Sequence, residues 1–423
     1  MPISPKDTQV RNRTIFTGDN LPVLRGMNAE SVDLIYLDPP FNSNRNYAAP
    51  VGSKAAGAAF KDAWTLQDVD IAWVKQIKTH YPKVAGIVEA AGAVGGKGDQ
   101  SYLTYMAVRL LELHRVLKDT GSLYLHCDPT MSHSLKLLLD AIFGKRNFRN
   151  EIVWCYGAGY PPKNDFARKH DIIFRYGGGE KKLVFNTDDP NVRVPFSTTA
   201  LDMHFKNKDK DGRAYRKYAS GKISYADEGK VVSDYWVDID GQKSRSPISK
   251  EYLGYPTQKP LDLLLRIIAA SSNADDVILD PFCGCATTCV AAEKLQRQWI
   301  GIDISEKAVE LVKSRFHSEL AIGSEDNPTL LPSVIHRTDM PVRSDMAKRS
   351  KNIKELLYGK QKGYCNGCGS HFEMRNFHVD HIVPTKKGGP DVDENLQLLC
   401  GHCNSVKGDR DMEYLMAKLE SQK

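Results

Sequence analysis

Through the first 320 residues, short β-rich runs alternate with helical stretches, and several of the runs end in an aspartate. RTIFTGD (13–19), VDLIYLD (32–38), SLYLHCD (122–128), HDIIFRY (170–176), DVILD (276–280) and QWIGID (298–303) read as buried strands. Between them, YMAVRLLELHRVL (105–117), SHSLKLLLDAIF (132–143) and PLDLLLRIIAASS (260–272) read as helices. Strands separated by helices cannot pair as hairpins. The alternation therefore predicts an α/β fold with a doubly wound, mostly parallel sheet covered on both faces. Ligands of such sheets bind outside the carboxyl ends of the strands, where these aspartates lie.

A chain of 423 residues is long enough for two or three domains. It has no apolar run of about 18 residues, so no membrane partner is expected. The N-terminal MPISPKDTQVRNRTIF lacks the apolar core of a signal peptide, and a cytoplasmic protein is expected. The net charge of +6 is unevenly placed: between Arg337 and Lys362 eight basic residues face three acids. Such a run suits either nucleic acid or a solvated linker. Residues 48–100 are rich in Ala and Gly and are expected to include a mobile loop, and the polar stretch 177–250 reads as an inserted lobe. The expected organisation is a main domain over 1–321, a basic linker over 322–360 and a small module over 361–423.

Two stretches of the main domain carry chemistry. DVILDPFCGCATTCVAAEKL (276–295) reads as strand, glycine turn and helix, and the next strand ends in Asp303, about twenty residues beyond Asp280. A tight turn lets backbone approach a cofactor, and a downstream acid accepts hydrogen bonds from ribose hydroxyls. There is no G-x-G-x-x-G, and Ala286 stands where a second glycine might be expected. A nucleoside-type cofactor without phosphates fits this turn better than a pyrophosphate; a plain strand–turn–helix joint is the alternative.

The second stretch, VDLIYLDPPFNS (32–43), ends a core strand in an acid, two prolines and a phenylalanine. An exocyclic amine such as that of adenine is a poor nucleophile because its lone pair is delocalised into the ring. Hydrogen bonds from its N–H groups to the Asp38 carboxylate and the Pro39 carbonyl would favour a pyramidal nitrogen with a localised lone pair. Pro39 and Pro40 remove N–H groups that would donate into such a site, and Phe41 offers a face on which a base can stack. A base in a duplex reaches this position only if it is flipped out.

Near the C-terminal end, Cys365/Cys368 and Cys400/Cys403 form two C-x-x-C pairs. In a cytosolic chain this spacing reads as tetrahedral zinc rather than a disulfide framework. Asp380 and His381 are neighbours between the pairs, with Asn395 and Asn404 downstream.

In the content and order of these motifs, the first 320 residues resemble the S-adenosylmethionine-dependent DNA amino-methyltransferases of the β arrangement. LDPPFNS precedes the basic insert and LDPFCGCATT follows it, and FTGDN (16–20), GSLYLHCDP (121–129), YPTQKP (255–260) and GIDIS (301–305) match the remaining motifs. The resemblance implies a site-specific enzyme that flips a base out of double-stranded DNA and moves a methyl group from S-adenosyl-L-methionine to adenine N6. A leading aspartate is usual for adenine N6 and serine for cytosine N4, which is the alternative. Carried over, Asp38, Pro39, Pro40 and Phe41 are catalytic. Asp19 lies near the cofactor's adenine, Asp303 at its ribose, and Asp280, Phe282 and Gly284 at its binding turn. Thr257, Gln258 and Lys259 lie near its methionine part, and residues 177–250 recognise the target.

Residues 364–410 resemble the HNH (ββα-metal) nuclease module. This implies His381 as a general base, Asn395 as the residue orienting it, and Asp380 and Asn404 as ligands of Mg2+ or another divalent metal, beside structural Zn2+ on Cys365, Cys368, Cys400 and Cys403. Asn404 stands at the last histidine of the family name, and its oxygen suits a hard cation. Together the two resemblances suggest restriction–modification, with methylation protecting the host's own sites. A zinc module that only binds DNA, through Lys386, Lys387 and Lys407, is the alternative. The sequence leaves the oligomeric state open, a homodimer included.

Overall fold

The computed structural model describes residues 9–43, 45–50, 52–56, 59–62, 71–157, 162–320, 333–345, 349–387 and 389–421. One sheet dominates it. Its strands are β1 (Thr14–Thr17), β2 (Val32–Leu37), β3 (Leu117–Cys127), β4 (Phe148–Cys155), β5 (His170–Gly177), β6 (Tyr235–Trp236), β7 (Val277–Asp280), β8 (Gln298–Asp303) and β9 (Ile335–Arg337). They lie in the order β6-β4-β5-β3-β2-β7-β8-β1-β9. Every pairing is parallel except those of β5, which runs antiparallel to β3 and β4. The doubly wound, mostly parallel sheet expected from the alternation is present.

Both faces are buried, as a parallel sheet requires. Ile35 and Leu37 of β2 join one core, with Leu21 and Leu24 of helix α1 (Asn20–Gly26) and Met106, Leu110 and Leu113 of α2 (Lys97–Val116). Leu34 and Tyr36 face the opposite core, with Leu264, Ile267 and Ile268 of α3 (Leu261–Ser271) and Val290 of α4 (Thr287–Lys294). Spacings of three and four put each helix's apolar residues on one stripe. Burying each large aliphatic side chain contributes about 1.5–3 kcal/mol. The chain leaves β2 toward β3 on one side and leaves β7 toward β8 on the other. The crevice between the carboxyl ends of β2 and β7 is therefore a topological switch point, where open α/β sheets bind ligands.

Several expectations are corrected. Within 48–100 the described residues include a hairpin (Arg45–Ala48 with Ala59–Asp62) and two helices, Ile71–His80 and Pro82–Gly95, beside the expected loop region. Alanine is the best helix former, and Gly96, at φ +88°, ends the second helix. Residues 51, 57–58 and 63–70 of that segment lie outside the described residues. The 177–250 insert is not wholly separate, because it supplies β6 to the main sheet. The linker is tied down as well: β9 pairs with β1, Ser344 N–H donates to Asn28 Oδ1 (2.8 Å), and Asp345 Oδ2 accepts from Ala29 N–H (2.8 Å). Residues 335–337 and 344–345 are thus bonded to the main sheet and its loops, and Ser350 N–H donates to Asp393 of the small module (2.8 Å). Residues 322–332 and 346–348 of the expected linker, Lys348 among them, lie outside the described residues.

The small module is built from antiparallel β10 (Phe377–His381) and β11 (Leu396–Cys400) followed by α5 (Gly401–Lys407). No helix among the described residues is long and apolar enough to cross a membrane.

Candidate active site

A cavity of about 460 Å3 opens at the switch point, within the range of small-molecule sites. One wall is the segment leaving β2. Asp38 Oδ2 accepts a hydrogen bond from Lys259 Nζ at 2.5 Å, and both side chains are largely buried. Among the described residues, the buried Asp38 Oδ1 has no hydrogen-bond partner. Leaving such an oxygen unpaired costs about 1–3 kcal/mol, which a donor arriving with a ligand would recover. The next residues hold this geometry. Asn42 turns the chain at φ +60°, and the N–H groups of Asn42 (2.6 Å) and Ser43 (3.0 Å) donate to the buried Asp62 carboxylate. The Phe41 ring stacks on His126, with centroids 6.0 Å apart and planes 22° apart, and Lys259 Nζ lies 5.2 Å from the Phe41 centroid.

The opposite wall is the turn after β7. Asp280 accepts from Phe282 N–H (3.0 Å) and Thr288 Oγ1–H (2.5 Å), and burial pushes its carboxyl up to about 7. Gly284 adopts φ +48°, and a Cβ there would lie 2.9 Å from Tyr255 Cε1, so only glycine fits without displacing that ring. Its N–H donates to Asp303 Oδ2 (2.7 Å), while Ser305 N–H donates to Oδ1 (2.8 Å). Burial raises the Asp303 carboxyl. Ala286 sits at φ +57° in the left-handed region, which explains why a glycine would be at home there; alanine pays about 1–2 kcal/mol. Asp19 caps α1 through Leu21 N–H (2.9 Å) and pairs with Arg109 (2.7 Å). Arg109 also donates to Asn20, which donates to the Pro281 carbonyl (both 2.7 Å), tying Asp19 to the turn.

Thr257, Gln258 and Lys259 of YPTQKP all line the cavity but do different things. Thr257 is held at φ +63°, a strained conformation for a β-branched residue. Gln258 is spent on its own loop, accepting from Leu253 N–H (3.0 Å) and donating to the Glu251 carbonyl (2.6 Å). Lys259 reaches across to Asp38. The lining carries five aspartates, Asp19, Asp38, Asp62, Asp280 and Asp303, against two cations, Arg109 and Lys259, each already paired with an aspartate. This acid-rich lining leaves no unpaired cation for a phosphate and suits a cationic nucleoside. S-adenosylmethionine, a sulfonium, fits.

In the small module the sulfurs of Cys365, Cys368, Cys400 and Cys403 lie within 4.8 Å of one another. Four thiolates around zinc at about 2.3 Å need separations of this order. Cys365 Sγ accepts from Gly367 N–H (3.4 Å) and Cys400 N–H (3.2 Å), which orients the knuckle before any metal enters. The residues expected to hold the second metal are arranged differently. The Asn395 side chain accepts from Val383 N–H and donates to the Val383 and Pro390 carbonyls (2.8–3.0 Å), closing the loop after β10. Asp391 also meets the ring, with His381 Nε2 2.9 Å from Asp391 Oδ1. Asp380 is engaged by Lys407 Nζ (3.0 Å) and Gln397 Nε2 (3.0 Å), and the Lys407 side chain is only 1% exposed. Asn404, half-buried, lies one turn before Lys407 on α5.

The DNA methylase family of N6 and N4 amino-methyltransferases matches residues 32–314, and the HNH endonuclease family matches residues 365–410. The chain belongs to the DNA methylase family. Its C-terminal module is an HNH domain. M.EcaI, a type II methyltransferase of Enterobacter cloacae, is 29% identical over 351 residues, covering 72% of this chain and 69% of its own. The DNA adenine methyltransferase YhdJ of Escherichia coli (strain K12) is 28% identical over 300 residues, covering 71% and 81%. Among solved structures, the PvuII DNA methyltransferase (cytosine-N4-specific) aligns with 73% of this chain and 90% of its own at 15% identity, with a TM-score of 0.39.

Family membership supports S-adenosylmethionine as the methyl donor of this DNA methyltransferase. The sequence reading missed the partners of its motif residues: Asp62 beneath the DPPF turn, His126 beneath Phe41, Asp391 at His381 and Lys407 at Asp380. His126 and Asp171 do stand in two of the runs quoted above, SLYLHCD and HDIIFRY, but nothing in either run marks the other as its partner.

Proposed function

We propose that this DNA methyltransferase modifies adenine N6 in double-stranded DNA, in the cytoplasm, and that its HNH domain nicks or cleaves DNA. The observation that carries the first part is the free, buried Oδ1 of Asp38 beside Phe41 at the switch point. With Oδ2 pinned by Lys259, Oδ1 accepts an N–H of the flipped amine, and the Pro39 carbonyl accepts the other. The lone pair is thereby localised on nitrogen. Phe41 stacks on the ring, and the two prolines present no competing donor. Bound S-adenosylmethionine supplies an electrophilic methyl group; the protein's contribution is alignment. Asp19, Asp280, Phe282, Gly284, Thr257, Gln258, Lys259 and Asp303 form the cofactor half. Residues 177–250 read the target, with Arg213 over Tyr225 and Arg216 over Tyr218 among their basic–aromatic pairs.

The test is incubation with labelled S-adenosylmethionine and unmethylated genomic DNA, followed by nucleoside identification. Labelled N6-methyladenine is expected, and Asp38→Ala should lower the yield by a factor of about 100 or more while cofactor binding persists. N4-methylcytosine as the product would overturn the adenine assignment.

For the HNH domain, His381 is the base and Asn395 orients it through the loop after β10, with Asp380 and Asn404 as ligands of Mg2+ or a similar ion and zinc on the four cysteines. Divalent-metal-dependent nicking that disappears in His381→Ala is the expected result. A second reading, a zinc module that only binds DNA, is favoured by one observation: Lys407 and Gln397 already satisfy Asp380. Metal-independent DNA binding without nicking would select it.

A further inference from the structure

Directly below the base-stacking face lies a buried polar chain that methyl transfer as described leaves unused. Side chains two apart on a strand share a face, so Tyr36 lies on the same side of β2 as the position that leads into Asp38. Tyr36 Oη is 2.9 Å from His126 Nδ1, and His126 Nε2 is 2.9 Å from Asp171 Oδ2. Tyr156 Oη donates to Asp171 Oδ1 at 2.9 Å. His126 is fully buried, and Tyr36 and Asp171 nearly so. Burial alone would push the Asp171 carboxyl up, but His126, Lys259 and Tyr156 hold it down at about 2. Asp171 is therefore a carboxylate. It accepts from His126 Nε2–H, which leaves Nδ1 facing the Tyr36 hydroxyl.

The imidazole is fixed on every side. Besides Tyr36 and Asp171, Trp154 meets it edge-on at 5.8 Å and 89°, and Phe41 lies on its face. An apolar ring would fill this space without the cost of burying a carboxylate and an imidazole. A ring held by hydrogen bonds at both nitrogens, however, cannot rotate, whereas a packed phenyl or leucine can.

We propose that His126 is the positioning residue for Phe41: the Tyr36–His126–Asp171 chain sets the plane of the imidazole, and the imidazole sets the plane of the platform on which the target base stacks. This rests on the reading of Phe41 as that platform. Tyr36, His126 and Asp171 touch no reacting atom in this scheme and act through Phe41 alone.

The test uses full-length His126→Gln and, as the milder change, Tyr36→Phe, which removes one hydroxyl and remains informative if the first variant does not fold. Crystal structures, cofactor binding and single-turnover methylation of unmethylated genomic DNA are measured. Both variants are expected to bind labelled S-adenosylmethionine within about threefold of the parent. Phe41 should rotate out of the plane seen here, and the transfer rate at saturating cofactor should fall about tenfold or more. A Phe41 plane unchanged in the variant crystals overturns the proposal, as does a parental transfer rate in a variant whose Phe41 has moved. If the parent itself modifies no base, the functional reading fails by that result, and the Phe41 plane still decides whether His126 positions it.

Discussion

Asp38 and Asp280 stand on the two walls of one cavity, yet only Asp38 has a cation beside it. Asp280, buried and bonded only to a hydroxyl and an N–H, has its carboxyl at about 7 instead of the ordinary 3.8. Between roughly pH 4 and 7 the native state holds a proton that the unfolded chain has released. Native stability from this group therefore falls as pH rises through that window and is flat above it. Asp280→Asn removes the titration, so the melting temperature of the variant should gain on the parent between pH 5 and pH 8. The full effect is on the order of a few kcal/mol, and thermal melts of the cofactor-free proteins check it. An equal gap at both pH values would sink the assignment. At this scale the sequence was legible wherever chemistry sat in consecutive residues, as in DPPF and the C-x-x-C pairs. It was silent where two partners meet from afar: Lys259 lies 221 positions from Asp38 and Lys407 27 from Asp380. Nothing local marks such pairs, because the fold alone brings them together.

The central strands announced themselves as elements because a parallel strand buried on both faces is apolar throughout, and an aspartate marks its end. The edge strands β6 and β9 did not, being two and three residues long in polar surroundings. The helices within 71–95 were not singled out, because small residues signal helix and loop alike. The ββα element of the HNH domain has its own limit. Among the described residues its core gathers ten buried ones, three of them cysteines that also belong to the sulfur cluster. A core that small needs a further contribution to fold, which zinc on the four cysteines would supply, worth about 10–16 kcal/mol in comparable modules. Chelation should unfold this domain while methyl transfer by the main domain continues. Zinc analysis should give one ion per chain, lost in Cys365→Ser. A chelated protein that keeps the far-ultraviolet spectrum of its HNH domain would contradict this account.

At the level of the whole molecule, a net charge of +6 and paired DNA-directed domains predict binding dominated by phosphate contacts. With about six contacts, affinity for a random duplex should fall roughly a thousandfold between 50 and 200 mM salt, as a titration of labelled DNA would report. A flat response would mean that binding is not electrostatic. The connection between the domains adds a geometric restriction. Asp345 is bonded to the main domain and Ser350 to the HNH domain. The five steps of chain between them span at most about 18 Å, or roughly five base pairs of duplex at 3.4 Å each. If the HNH domain cuts, so short a tether keeps its reach to within the dimensions of the two domains themselves. Writing the mark and scoring the strand would then be competing fates of a single encounter with DNA.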